Sequence, residues 1–500
     1  MKQILLLLLV SLTSLIAYAQ EFHKIDSLKQ ILNSLPGFDG SEADTNRIII
    51  FMKIGDMFQG KEPDSALFYY ENTFDQAMLK DGEIDTSSIL SNKRKYAYLI
   101  NIMRAAGVAY YRKSEDQKAL KYYNRSLAIG KILDNKKCVS GCYINMGLLF
   151  NRAEEFQSAV EYYLKGLEVA RQINYTPWIS NALNNLGNTY SALNEYPKAI
   201  ACFESCLEIL LKKNDARGIS NSFRSLGDIY ATQGNLEKAL INLKLSLQYA
   251  EESNNKEAIS RSLNDLGLVQ VARGNFPEAI KCYENSMKVA DEYGDNIQVS
   301  YCLNNLGLVY RNQGDYFKSI ECTNKSLKIK QEIGDSAAIA SGYNNMGIAY
   351  SAMGKESEAR LYLEKALVLA EKFNDRSTQS YSYNNLGLLY LEKRDFDSAR
   401  FCFEKSIQLK KETNDKTSIA TSLVNIGSIY LMTGNLDKAE EILLEPIKMA
   451  EKNNAVNELS EWYPLLAKVY LRQGKVKEAS TLFARSGTLS IRLIRENYVS

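Results

Sequence analysis

Histidine is almost absent from this sequence, which has one, His23, among 500 residues. A Ser/His/Asp or Cys/His nucleophile system uses histidine as its base, and a single histidine near the N-terminus gives such a system no place to assemble. No CxxC pair, Cys/His cluster or phosphate-binding glycine loop occurs either. The sequence therefore predicts a non-enzymatic chain with no catalytic residues, no metal site and no cofactor.

A charge excess of either sign is also missing, because the chain has 61 lysines and arginines and 59 aspartates and glutamates. Proteins that bind nucleic acid carry a basic patch or stripe opposite the phosphate backbone. No such stripe appears along the chain. We therefore expect no nucleic-acid partner.

Long apolar runs are confined to the N-terminus, where Lys2 precedes an apolar run over 4–16 and Ala17-Tyr18-Ala19 resembles a signal-peptidase site. Residues 1–19 are predicted to be a cleaved signal peptide, with an uncleaved anchor as the alternative. Gln20 stands where a lipoprotein would need cysteine. We expect an exported protein of the periplasm or cell envelope, or a secreted one, without a stable membrane span after cleavage.

Eight cysteines in an exported chain raise the question of disulfides. Most occupy equivalent positions of a repeat and should lie too far apart to bond, while pairs four residues apart on a helix would be strained. We expect small buried thiols. The cross-helix pairs that could still form a bond are Cys282 with Cys302 and Cys302 with Cys322.

Glycine recurs every forty residues through most of the chain. A fixed period of 20 to 50 residues is typical of solenoid proteins. Within one unit, apolar residues from Leu303 to Tyr310 follow the spacing of one helical face, and Gly314-Asp315 then marks a tight turn. The sequence therefore predicts two helices per unit, A and B, with the glycine on helix A: Gly107, Gly147, Gly187, Gly227, Gly267, Gly307, Gly347, Gly387 and Gly427.

Two further columns, each a set of equivalent positions in successive repeats, accompany the glycines. A small residue on helix B should let the two helices approach closely, and it is found at Ala119, Ala159, Ala199, Ala239, Ala279, Ser319, Ala359, Ala399, Ala439 and Ala479. A tyrosine on helix A is predicted to lie in the core, at Tyr110, Tyr190, Tyr230, Tyr310, Tyr350, Tyr390, Tyr430 and Tyr470. These columns account for much of the high tyrosine content.

The pattern L-G-x-x-Y followed by G-[ND]-[YFL]-x-x-A-x-x-x-[YF] resembles the tetratricopeptide repeat (TPR) over roughly 90% of the chain. The forty-residue unit resembles the subclass seen in Pins-type adaptors, in Rap-type bacterial regulators and in exported TPR sensor regions of bacterial signalling proteins. The resemblance implies an all-α, right-handed superhelical solenoid. Where the usual repeat closes with proline, these units close with Gly or Asn followed by Asp, at 214–215, 294–295, 334–335, 374–375 and 414–415.

The repeat period also divides the chain. We predict an N-terminal helix and turn over 20–45, a degenerate repeat over 46–82, an insertion over 83–95, ten regular units over 96–495 and a tail over 496–500. Pro446 and Pro464 fall inside helical patterns of the last two units. These two units are therefore expected to be kinked and to act as a cap.

Asparagine recurs in two adjacent columns of helix A that should face the inner surface of the solenoid. An amide presents a donor and an acceptor together, so a row of amides can pair with the backbone of an extended peptide. The alternative is that these amides bind the neighbouring helix. The predicted peptide-binding residues are Asn145, Asn184, Asn185, Asn264, Asn304, Asn305, Asn344, Asn345, Asn384, Asn385 and Asn425.

Three functions stay open at this point. The first is an exported scaffold that binds a peptide or protein segment in its groove. The second is the sensory input module of a bacterial signalling system whose membrane or kinase output is separate or missing, and the third is a structural component of envelope assembly. Arginines on helix A form no repeated column, so we do not expect recognition of a free C-terminal carboxylate.

The asparagine columns give a first prediction. Replacing Asn305, Asn345 and Asn385 together by alanine should weaken ligand binding by about 1 kcal/mol per lost hydrogen bond. The fold should remain intact. Calorimetry that finds equal affinity for the variant and the parent chain would contradict the groove assignment.

Overall fold

The computed structural model describes residues 24–35, 42–59, 62–76, 86–413 and 416–499. The predicted signal peptide, His23, the dipeptide 414–415 and Ser500 lie outside these ranges. The chain divides into two compact units, Met1–Ile229 and Tyr230–Ser500. The regular elements of the described residues are all helices, and none of these helices is both long and apolar enough to cross a membrane.

Most of the helices are 17 residues long and are separated by turns of three residues. The helices that begin in the first unit are α1 (24–34), α2 (Glu42–Phe58), α3 (Pro63–Gln76), α4 (Thr86–Ser91), α5 (Lys93–Arg112), α6 (Asp116–Ile132), α7 (Lys136–Arg152), α8 (Phe156–Gln172), α9 (Thr176–Ala192), α10 (Tyr196–Lys212) and α11 (Ala216–Thr232).

The second unit repeats the same alternation of A and B helices. Its helices are α12 (Leu236–Glu252), α13 (Lys256–Ala272), α14 (Phe276–Tyr293), α15 (Asn296–Asn312), α16 (Tyr316–Glu332), α17 (Ser336–Ala352), α18 (Glu356–Lys372), α19 (Arg376–Glu392), α20 (Phe396–Glu412), α21 (Lys416–Thr433), α22 (Leu436–Lys452), α23 (Val456–Arg472) and α24 (Val476–Val499).

The predicted segments correspond to these helices as follows. The degenerate repeat contains α3 and all of α2 except its first turn, which begins at Glu42, and the insertion contains α4 and the start of α5. The A and B helices of the regular units run from α5 to α24. Pro446 and Pro464 lie inside α22 and α23, which continue on both sides of the prolines.

The core of a hairpin is a contact between the glycine of helix A and a large side chain sixteen residues later on helix B. A Cβ at Gly147 would lie 2.5 Å from the ring of Tyr163, and one at Gly387 would lie 2.7 Å from the ring of Phe403. Both rings are fully buried. Only a residue without a side chain lets the ring lie flat on the A-helix backbone, which explains the glycine in those repeats whose helix B carries a ring at this position.

The turns close as the sequence predicts. Asn214, Gly294, Gly334 and Asn374 have φ of 51°, 82°, 75° and 55°, the left-handed conformation that ends a helix. The aspartate that follows each of them accepts a hydrogen bond from the backbone N–H three residues later, as Asp295 does from Gln298 at 3.0 Å. One dipeptide therefore ends a B helix and begins the next A helix.

The prediction that the tyrosine column lies in the core is wrong for most of its members. Tyr110 is buried, but the other seven are only half buried. Lysines from the start of helix B lie over several of these rings, with Lys318 Nζ 5.1 Å from the centroid of Tyr310 and Lys198 Nζ 5.3 Å from that of Tyr190. The rings thus lie at the edge of the core, where a charged amine keeps its contact with water.

The glycine contact yields a stability prediction. Gly387→Ala should lower the free energy of unfolding by about 1–3 kcal/mol, because the added methyl group displaces the Phe403 ring. The urea midpoint followed by circular dichroism, with hydrogen exchange in α19 and α20, measures the effect.

The matched control is Gly487→Ala in α24, where a Cβ would meet no atom within 4 Å. Its helix propensity should leave stability unchanged or raise it by up to about 1 kcal/mol. Equal loss of stability in the two variants would show that the glycine column is not explained by ring contact.

Candidate functional site

The asparagines of the second unit form hydrogen bonds from each A helix to the next. Asn305 Nδ2 donates to Asn264 Oδ1 at 3.0 Å, and Asn385 Nδ2 donates to Asn344 Oδ1 at 3.0 Å. Between them, Asn345 Nδ2 donates to Asn304 Oδ1 at 3.3 Å. We call this set of seven asparagines, completed by Asn384, the amide ladder.

Serine or cysteine side chains of the following A helix also donate to some acceptors of the amide ladder. Ser382 Oγ donates to Asn344 Oδ1 at 3.2 Å, and Ser422 Oγ donates to Asn384 Oδ1 at 3.1 Å. The Cys302 thiol takes the same place beside Asn264, at 3.9 Å. The two asparagine columns therefore have different roles, since the first accepts and the second donates.

This arrangement affects the peptide-contact prediction. Asn305, Asn345 and Asn385 each use one amide N–H within the protein, so replacing all three also removes bonds that hold A helices together. The expectation of an unaffected fold therefore needs correction, because the triple replacement costs stability. The half-buried amides keep donors and acceptors beyond these bonds, so peptide contact stays a prediction.

The remaining predicted asparagines have other surroundings. Asn145 is 6% exposed, and its Nδ2 has no hydrogen-bond partner within the described residues. Asn185 Nδ2 donates to Asn181 Oδ1 on its own helix at 2.9 Å. Asn184 and Asn425 are half buried. The amide ladder is thus a feature of the second unit, whereas the first unit has a different structure at this place.

In the first unit, Asn184 lines a cleft of about 340 Å³ between α9, the end of α10 and the start of α11. We call it the α9–α11 cleft. Asn181 and Asn221, both exposed, lie on its two sides. Ile209 and Leu210 of α10 supply apolar surface.

The polar groups of the α9–α11 cleft suit a ligand that both donates and accepts hydrogen bonds. Amides of Asn181, Asn184 and Asn221 offer N–H and C=O groups together. Lys213 and Asp215 add one charge of each sign, and Asp215 also accepts a hydrogen bond from the Gly218 backbone N–H. A backbone in extended conformation presents the complementary groups.

Sequence reasoning identified Asn184 but missed Asn181 and Asn221. Both lie in the column one helical turn before the amide columns, on the same face of helix A. This column contains asparagine, arginine, tyrosine, serine and threonine in different repeats. No single residue type dominates there that would mark the position as part of a binding site. The spacing of three to four residues from the predicted asparagines was the available signal.

All eight cysteines are free, as expected, and six of them are buried, whereas Cys202 and Cys322 are half buried. Cys138 and Cys142 lie closest, with sulfurs 3.9 Å apart and the Ser126 hydroxyl 3.2 and 3.3 Å away. The hydrogen bond between them lowers the pKa of the Cys138 thiol, and it raises that of Cys142 together with burial. Among the described residues, no group of three or more His, Cys, Asp or Glu side chains is placed to hold a metal ion.

The tetratricopeptide-repeat family matches residues 141–212, 218–292, 298–372 and 378–452, more than half of the chain. The chain belongs to this family. The predicted fold class, an all-α TPR solenoid of helix-turn-helix repeats, is thereby confirmed. TPR repeats are generally non-catalytic and present surfaces for protein interaction or sensing.

Solved structures share the TPR fold at low sequence identity. A signal-transduction ATPase (STAND protein) with a TPR sensor from Pyrococcus horikoshii is 14% identical, with a TM-score of 0.52 over 90% of this chain and 74% of its own. A Rap protein in complex with the competence and sporulation factor is 15% identical, with a TM-score of 0.48 over 74% and 99%. The quorum sensor NprR from B. thuringiensis is 16% identical, with a TM-score of 0.45 over 71% and 99%. No curated protein matches the chain.

The amide ladder gives a stability prediction. Asn344→Ala should lower the free energy of unfolding by about 1–3 kcal/mol, because the donors of Asn385 and Ser382 lose their acceptor. Hydrogen exchange in α17 and α19 should rise, as measured by mass spectrometry.

Asn425→Ala is the comparison variant, since its side chain makes no hydrogen bond within the described residues and it lies in the same helix-A column as Asn385. It should change exchange in its own repeat only slightly. A larger effect of Asn425→Ala than of Asn344→Ala would contradict the ladder's structural role.

Proposed function

We propose that this TPR protein is a non-catalytic interaction protein that holds an extended peptide or protein segment against its A helices. The observation that carries the proposal is the α9–α11 cleft, which combines three amide side chains with apolar surface from α10. Its volume of about 340 Å³ lies in the range of ligand clefts, roughly 300–1,000 Å³.

Hydrogen bonding supports a peptide rather than a fixed small molecule as ligand. Amide side chains pair with backbone N–H and C=O groups whatever the sequence of the peptide, while the apolar patch of Ile209 and Leu210 selects a side chain. The ligand is therefore expected to be extended, because helical segments have already satisfied their backbone groups.

The remaining elements of the proposal concern location and partners. Residues 1–19 have the form of a signal peptide, so we place the protein in the periplasm or cell envelope, or outside the cell. The near balance of charge argues against a nucleic-acid partner. The single histidine argues against nucleophilic catalysis.

Sensory input is the second candidate function. The STAND protein of Pyrococcus horikoshii, whose fold extends over 90% of this chain, carries its tetratricopeptide repeats as a sensor. In that role, the peptide held by the A helices would be a signal. Both candidates use the same cleft.

The proposed function is tested by blocking the α9–α11 cleft. Random peptides of about ten residues, long enough to cross several repeats when extended, are displayed on phage and selected on the full chain. Asn221→Tyr should weaken binding of the selected peptides about ten-fold or more, since the ring occupies the cleft. Fluorescence anisotropy measures the dissociation constants.

The fold accepts tyrosine at this column of helix A, because Tyr301 and Tyr381 occupy it in the second unit. Glu204→Tyr, on the exposed side of α10, is the control and should leave affinity unchanged. Unaltered binding by Asn221→Tyr, with an unchanged unfolding midpoint, would refute the assignment of the cleft.

A further inference from the structure

The indole of Trp178 lies between two A helices of the first unit. Trp178 stands in the first turn of α9, and its ring reaches across to α7. A Cβ at Gly141 of α7 would lie 2.9 Å from the ring atom Cζ2 and 3.2 Å from Cε2. The guanidinium of Arg104, on α5, lies over the same ring at 5.4 Å from its centroid. The chain therefore fills the space between α7 and α9 with one of its own aromatic side chains.

The α9–α11 cleft is the equivalent space one repeat later. Moving forty residues along the chain takes Trp178 to Gly218 and Gly141 to Asn181. Both Gly218 and Asn181 line the cleft. A side chain that started at residue 218 and reached across as Trp178 does would lie in this cleft, but glycine has no side chain to place there. The cleft thus corresponds to a space that an indole fills in the preceding repeat.

The apolar side of the cleft has also changed between the two repeats. Leu210 of α10 stands where the preceding repeat has Ala170. A Cβ at Gly218 would lie 2.8 Å from Leu210 Cδ2, so the leucine covers the backbone at the point where Trp178 is attached in its own repeat. Leu210 and Ile209 line the remaining volume of about 340 Å³. This volume is open to a ring that comes from another molecule.

The polar edge of the cleft offers an acceptor that the Trp178 site lacks. The ring atoms nearest to Gly141 are on the nitrogen side of the indole. Trp178 Nε1 has no hydrogen-bond partner in the part of the chain that the structure describes. In the cleft, the position of Gly141 is taken by Asn181, whose side chain is exposed. Asn181 Oδ1 accepts one hydrogen bond, from Asn185 at 2.9 Å, and a carbonyl oxygen can accept two.

We propose that the α9–α11 cleft binds a tryptophan side chain of the peptide, in the place that corresponds to the Trp178 indole of the preceding repeat. The inference rests on the proposed function and adds the residue type that anchors the ligand. Ile209 and Leu210 contact the ring, and Asn181 Oδ1 accepts a hydrogen bond from the indole N–H. An aromatic side chain buries roughly 150–250 Å², so a single tryptophan supplies much of the apolar contact of a short peptide.

The anchored ring also determines where the peptide lies. Asn184 and Asn221 line the same cleft and offer amides to the peptide backbone on the two sides of the tryptophan. Amides alone would bind an extended backbone in any register, because every residue presents the same N–H and C=O groups. One ring in one cleft selects a single register.

The first test uses the phage-selected peptides whose binding is weakened by Asn221→Tyr. We expect these peptides to share a tryptophan. Exchanging it for leucine should weaken binding to the full chain about ten-fold or more, because the contact of the ring is lost. Exchanging it for phenylalanine should weaken binding about three- to ten-fold, because the hydrogen bond to Asn181 is lost. Fluorescence anisotropy measures the dissociation constants.

The second test gives the cleft the residues of the preceding repeat. Asn181→Gly, Leu210→Ala and Gly218→Trp are combined in one filled variant, whose new indole should occupy the cleft and remove the preference for tryptophan over leucine peptides. The matched control carries Asn181→Gly and Leu210→Ala without the new indole. It should still prefer tryptophan to leucine, but it should bind tryptophan and phenylalanine peptides equally, because the acceptor of residue 181 is gone.

The fold accommodates all three residue types of the filled variant, since the preceding repeat has them at the same positions. Circular dichroism during urea unfolding checks that both variants are folded. The inference is overturned if the cleft-dependent peptides lack tryptophan, or if the parent chain binds tryptophan and leucine peptides equally. A tryptophan preference that survives in the folded filled variant overturns it too.

Failure of this inference is distinguishable from failure of the proposed function. Peptides that bind, are sensitive to Asn221→Tyr and tolerate leucine in place of tryptophan would support the peptide-binding function and refute the tryptophan anchor alone. If the selected peptides bind but Asn221→Tyr has no effect on them, the cleft is not the site and the anchor is wrong with it. If no peptide binds the full chain, both proposals are wrong.

Discussion

The contact between a glycine of helix A and a large side chain of helix B is the constraint on which most of the hairpins depend. At Gly147 and Gly387 a Cβ would lie 2.5 and 2.7 Å from the opposing ring. The distance between the two helices is therefore set by the contact of the helix-A backbone with the aromatic ring of helix B. The small residue of helix B, such as Ala399, is fully buried beside it. Because the glycine column keeps its period without insertion, the other columns of helix A are held in register, and the asparagines of successive repeats come within hydrogen-bond distance.

Sequence alone predicted the features that depend on one hairpin. Period, helix number, turn conformation and helix caps are local, and the φ of 82° at Gly294 and the cap at Asp295 are as expected. Features that depend on how one A helix rotates against the next could not be decided from the sequence. The bond from Asn385 to Asn344 was only one of two alternatives for the asparagines, and the half-buried position of the tyrosine column was not predicted. Asn184 was identified as a site residue, but the cleft around it requires the end of α10 and the start of α11.

Chemical variation in this protein is placed on a constant frame. The last-turn column of helix B is alanine in five of the ten regular repeats, leucine at Leu210 and lysine at Lys330 and Lys410. Leu210 lines the α9–α11 cleft, so a residue of this column contributes to a candidate binding surface while the helices keep their length. An apolar and a cationic side chain in one column favour different ligand groups. Residues of a single column can thus vary to change binding specificity, while the residues of other columns maintain the stability of the repeats.

The geometry of the amide ladder has a consequence for how such a chain lengthens or shortens. Donor and acceptor of each rung are separated by 41 residues, one repeat plus one position, as for Asn305 with Asn264 and Asn385 with Asn344. Duplicating or deleting one whole unit in frame joins a donor to an equivalent acceptor and restores the same bond. Genetic gain or loss of complete units therefore preserves the amide ladder, whereas an insertion or deletion of another length within it shifts donor and acceptor out of register.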